Sequence, residues 1–136
     1  MQKFQTFLAM VPPTVTHNDL VATKGKGGLP YIRKSDRLKA AEDAYLSRLS
    51  RVRPREPMMG ALKLTITYCF PTGGKHPQGS PMTQKPDADN MDKTLTDCLT
   101  RAKIIKDDCL IVRRDTTKAW ADPAGVFIRV ETIESV

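Results

Sequence analysis

The sequence predicts an α+β fold, a small mixed β-sheet with two main helices packed on it, in one domain spanning residues 1–136. Three observations carry this. Residues 61–70 alternate apolar and polar side chains without a break. Residues 35–52 and 90–102 repeat apolar residues at intervals of three and four. The order strand, helix, strand, helix, strand, strand suits helices laid over a sheet. A 136-residue chain with 40% hydrophobic content can bury one core.

Residues 3–11 read as the first strand, closed by Pro12 and Pro13. Phe7 to Val11 has the apolarity of a short signal core, but only Lys3 precedes it, so a strand is the better reading. Residues 12–31 show no periodicity and contain Lys24-Gly25-Lys26-Gly27-Gly28. No Gly-Lys-Ser/Thr follows at the spacing of a nucleotide-binding P-loop. The expectation is a mobile basic loop or hairpin tip whose lysines can touch phosphate.

Residues 35–52 place Leu38, Ala41, Tyr45, Leu49 and Val52 on one helical face, with Ser35 as cap and Pro54 as stop. Arg48, Arg51, Arg53 and Arg55 gather at its C-terminal end. They either complement the helix dipole or meet a phosphate backbone. In residues 61–70, Leu62, Leu64, Ile66, Tyr68 and Phe70 face one way, as in a strand with one buried face. Pro71 to Pro86 is rich in Pro and Gly, and a loop of that length is often functional or mobile. The second helix, 90–102, shares Met91, Leu95, Cys98, Leu99 and Ala102 on a face, with Asp89 or Asn90 as N-cap. Residues 109–119 and 125–133 complete the strands.

The net charge is +7, from 22 basic and 15 acidic residues, which points to a polyanionic partner, above all nucleic acid. No apolar run approaches the ~20 residues that span a bilayer. Cys69, Cys98 and Cys109 are odd in number and form no CxxC pair, and only His17 and His76 could complete a zinc site. Reduced thiols in a cytosolic protein are expected instead of a disulfide framework or zinc knuckle.

Against that positive background, residues 85–99 read KPDADNMDKTLTDCL. A structural account covers part of this: acids suit a helix start, and Asp89, Lys93 and Asp97 are spaced for surface ion pairs. It leaves Asp87 and the Asp107-Asp108 pair unexplained. A calcium loop fails, because Met91 stands at the third ligand position and Asp92 replaces the turn glycine. A hard-cation site built from Asp87, Asp89 and Asp108 survives. Converging carboxylates repel one another, a divalent ion relieves this, and oxygen-only ligands favour Mg²⁺ or Mn²⁺ over zinc. Carboxylates, metal and a basic surface together suit phosphodiester chemistry. Lys93, one turn into the helix, can donate to the scissile phosphate.

Lys85-Pro86-Asp87-Ala88-Asp89-Asn90-Met91-Asp92-Lys93, then Asp97-Cys98-Leu99, then Lys106-Asp107-Asp108, resembles the RusA family of Holliday junction resolvases. Lys118-Ala119-Trp120, Pro123 and Gly125-Val126 extend the likeness. It is strongest from residue 85 to 130. The resemblance implies a phage- or prophage-associated, Mg²⁺-dependent endodeoxyribonuclease of recombination and repair, with Mn²⁺ as a substitute ion. It implies Asp87, Asp89 and Asp108 as metal-binding catalytic residues, Lys93 as the essential lysine, and Asn90 and Asp107 in support. An intertwined homodimer is implied too, whose two sites suit paired nicks in a nearly two-fold four-way junction. Met91 stands where the family often has Leu, a harmless swap in packing. Lys24, Lys26, Lys75 and Lys85 are candidate DNA contacts by loop position, and Trp120 is expected to pack. The cytoplasm is the expected location. The alternatives are a flap- or fork-cutting nuclease of the same chemistry, or a DNA-binding module in which the aspartates only cap a helix.

Overall fold

The computed structural model describes residues 2–16 and 18–136, so His17 lies outside the described residues. The elements in chain order are β1 (Lys3–Leu8), β2 (Leu20–Lys24), β3 (Pro30–Lys34), α1 (Asp36–Val52), β4 (Leu62–Phe70), β5 (Ser80–Pro81), α2 (Ala88–Arg101), β6 (Ile111–Trp120) and β7 (Gly125–Thr132). Short 3₁₀ turns occupy Lys26–Gly28 and Asp108–Leu110.

Five strands form a mixed sheet in the order β1-β7-β4-β6-β5. β4 and β6 are parallel because the chain between them crosses back through α2, whereas the other neighbours are antiparallel. The alternation in β4 is realised in full, with Leu62, Leu64, Ile66, Tyr68 and Phe70 all buried. They share one core with Tyr45 and Leu49 of α1, with Met91, Leu95, Cys98 and Leu99 of α2, and with Val126, Ile128 and Val130 of β7. Each such side chain contributes roughly 1.5–3 kcal/mol by leaving water. Gly125 starts β7 because β1 lies too close for a side chain: an added Cβ would stand 2.6 Å from the Leu8 carbonyl oxygen. Among the described residues no helix is long and apolar enough to cross a membrane.

Ser35 caps α1 as expected, its Oγ accepting from the Leu38 N–H at 3.0 Å. Several expectations are corrected. β1 ends at Leu8, short of the prolines. Residues 12–31 are not wholly irregular. β2 and β3 pair as an antiparallel ribbon separate from the main sheet, with Lys24 and Lys26 at its tip. Its strands are short and leave Leu20, Tyr31 and Ile32 exposed, so no buried face marks them in the sequence. Val52, at the last residue of α1, is exposed, while Glu42 is buried and paired with Lys34 and Arg101. The Pro71–Pro86 segment is pinned at several points. Thr72 bonds the Asp122 carboxylate, and Gln78 exchanges two bonds with the Asp122 backbone. His76 stacks on Trp120 with centroids 3.8 Å apart, and β5 pairs with the end of β6. Trp120, half-buried against Phe70, packs as expected.

Candidate active site

The approach to α2 is held from the sheet. Lys118 of β6 donates its Nζ to the carbonyl oxygens of Gln84 and Pro86, each at 2.7 Å. The Lys85–Pro86 peptide is cis. Asp87, with φ −65° and ψ 146°, occupies the N-cap position, so α2 begins at Ala88, two residues before expected. The N-cap is therefore neither Asp89 nor Asn90, because both already lie in the first turn. Asp87 makes no side-chain capping bond, and its exposed carboxylate lines a hollow of about 350 Å³ with Thr14, Thr16, Lys85 and Asn90. Asn90 accepts a long bond of 3.4 Å from the Asn18 side chain, which tethers the root of the β2–β3 ribbon.

One turn further along, Lys93 shares a surface with Asp108. Both line two adjoining hollows of about 380 and 390 Å³. Lys34, Glu42 and Asp97 complete one, and Arg113 and Arg114 complete the other. The alternative ion pair of Lys93 with Asp89 or Asp97 does not form among the described residues: Asp97 bonds Arg101 at 3.3 Å, and Lys93 is exposed at the hollow.

The adjacent Asp107 and Asp108 differ in character. The backbone N–H of Cys109 donates to Asp107, holding its carboxyl below the usual range. Asp108 is raised, chiefly because it shares a hydrogen bond with the ionised Asp107, and secondarily by desolvation.

Asp92 is the buried carboxylate beneath the site, with its side chain 1% exposed. It accepts from the Tyr68 hydroxyl at 2.8 Å and from the Thr116 hydroxyl at 2.5 Å. It also pairs with Arg114 Nε at 3.4 Å. Burial raises its pKa, and the charge of Asp89 adds to this, while Thr116, Tyr68 and Arg114 oppose it. Asp92 therefore ties α2 to β4 and β6, the strands beneath it, and aims Arg114 at the Lys93–Asp108 hollow.

The expected residues thus fall into two neighbourhoods. Asp87, Asn90 and Lys85 share one, and Lys93 and Asp108 share the other, with exposed Asp89 in the first turn of the helix that links them. Lys24 and Lys26 stand at the ribbon tip and Lys75 on the exposed part of the 71–79 loop, and none of these three lines either neighbourhood. Oxygen-only donors suit a hard divalent ion. Their grouping does not, for among the described residues no three His, Cys, Asp or Glu side chains gather into a group that could hold a metal.

Sequence reasoning missed Asp92, Arg114 and Lys118 as contributors. Asp92 had a readable signal, since it lies three residues before Leu95 and seven before Leu99, on the buried face. Arg114 and Lys118 had none, because their partners lie more than 20 residues away in sequence.

The family model described as endodeoxyribonuclease RusA matches residues 11–131. No curated protein matches the chain at a significant level.

Proposed function

The chain belongs to the RusA family of endodeoxyribonucleases, and from that premise we propose that it resolves four-way DNA junctions by paired symmetric nicks. It is an enzyme that hydrolyses phosphodiester bonds in DNA. The observation that carries the site reading is a hollow lined together by Lys93 from α2, Asp108 from the turn before β6, and an Arg114 held by a buried carboxylate.

In this reading the Lys93 ammonium binds a nonbridging oxygen of the scissile phosphate and stabilises the charge that grows in the transition state. Arg114 uses guanidinium nitrogens left free by its Nε contact with Asp92 to orient the same phosphate. Asp87, Asp89 and Asp108 are the catalytic carboxylates, with Asn90 and Asp107 supporting them. Mg²⁺ dependence, with Mn²⁺ as a substitute, belongs to the proposal and rests on the family resemblance and the oxygen donor set. A homodimer acting in the cytoplasm is likewise proposed. The dimer draws support from the β2–β3 ribbon: two strands alone are marginal in water, and this pair exposes Leu20, Tyr31 and Ile32.

The test uses labelled four-way junction, flap and linear duplex, with Mg²⁺ or EDTA, beside Asp87→Asn. Paired symmetric nicks lost in EDTA and in the variant are expected, with junction binding retained. Cutting of flaps alone would move the substrate and keep the chemistry. Binding without cutting in Mg²⁺ and Mn²⁺ would overturn the catalytic reading.

A further inference from the structure

We propose that a second phosphate-binding surface, at the C-terminal ends of α1 and α2, takes the backbone of a DNA arm outside the cleavage centre; it rests on the reading of the chain as a junction nuclease. A hollow of about 490 Å³ is lined there by Arg53, Arg55, Lys103 and Lys106, with Glu56 as the single carboxylate. All four cations are exposed. Among the described residues none of the four forms an ion pair, whereas Lys34, Arg101 and Arg114 are each held by a carboxylate.

The frame carrying these cations is rigid. Pro54 and Pro57 restrict the segment that leaves α1. Met58 then bonds through its N–H to the Ile104 carbonyl and through its carbonyl to the Lys106 N–H, both at 2.9 Å. This parallel bridge clamps residues 53–58 beside 103–106. The backbone positions that carry the cations are therefore set before any ligand arrives, which lowers the ordering cost of binding.

Lys103 supplies an independent observation. It follows the C-cap of α2 with φ 62°, the only left-handed non-glycine among the described residues. Helices commonly close with glycine at this position, because a Cβ is strained there. Here the chain carries a lysine that lines the hollow. Cations near helix C-termini also complement the dipole, but that effect fades within the last turn. It accounts for one cation at each end and leaves Arg55 and Lys106 without a role.

Four cations without an aromatic side chain or an amide among the lining residues read backbone phosphate, not bases. Lys106 is joined to Asp108 through a single residue, Asp107, so the surface and the proposed cleavage centre are carried on one segment of chain.

The experiment measures anisotropy of a labelled four-way junction in EDTA across a salt series, for the wild type, an Arg55→Gln/Lys106→Gln double variant and Lys103→Gly. The double variant is expected to bind about tenfold more weakly, with a log–log salt slope shallower by about two. Lys103→Gly is expected to raise the Tm while lowering affinity, a combination that a purely structural lysine would not produce. Cleavage by both variants at saturating protein should match the wild type. Unchanged affinity and slope in both variants would overturn the proposal. So would a Tm shift of the wild type with inorganic phosphate, lost in the double variant, if DNA affinity stays untouched, for that outcome marks a free-anion site. Failure of the wild type to cut the junction, with the binding differences intact, would sink the nuclease reading and leave the surface standing.

Discussion

At the scale of single residues, Asp92 does the most to relate structure to chemistry. Its carboxylate joins two hydroxyls and a guanidinium from two strands. Asp92→Ala would leave Tyr68 and Thr116 unpaired and release Arg114. We expect a loss of about 3 kcal/mol, read as a shift in the urea midpoint. Asp92→Asn should recover part of it, because the amide oxygen still accepts one bond. An unchanged midpoint in the alanine variant would remove Asp92 from the account. Cys98 makes a different prediction. Burial pushes its thiol from 9.0 up to about 12, helped by the nearby Glu42 and Asp97 charges. The folded state thus holds this proton more tightly than the unfolded state. The contribution is complete below about pH 9 and is lost as pH rises towards 12. The Tm should fall across that window, and Cys98→Ala should flatten part of the decline; Tyr45, raised by burial in the same core, contributes further up the scale.

At the scale of elements, the site depends on how α2 is delivered and anchored. Lys118 grips the carbonyls of Gln84 and Pro86 and so sets where Asp87 leaves the loop. Lys118→Ala should lower cleavage at saturating protein while costing about 1–2 kcal/mol in urea. Equal cleavage by this variant would show that the loop is positioned without it. The long helices and β4 were legible because their periodic patterns extend over nine residues or more. The β2–β3 ribbon was not, because neither of its strands buries a face. The anchoring of the 71–86 loop was not legible because its anchors, Asp122 and Trp120, come some 40 to 50 residues later.

At the scale of the whole molecule, the charge of +7 is distributed with purpose. Arg53, Arg55, Lys103 and Lys106 line one surface, and Lys85, Lys93 and Arg114 line the hollows about the carboxylates. If these seven meet phosphates, the binding constant of each chain should fall with salt at a log–log slope of roughly −6. Titration between 50 and 200 mM salt checks this. A slope near −2 would mean that most of these cations stay in solvent. Sedimentation of the free protein at the same salts tests the proposed dimer.

The sequence by itself determined the two helices, the buried face of β4, the basic balance and the motif from Lys85 to Asp108. These follow from local patterns, in which side chains repeat at the period of the element or sit within one helical turn of each other. Only the tertiary structure decided that Lys93 and Asp108 line one hollow, that Asp92 holds Arg114, and that Lys118 steadies the entry to α2. Each of these arrangements joins separate segments of the chain. Their geometry is set by the parallel crossover from β4 to β6 and by core packing, which no short stretch of sequence encodes.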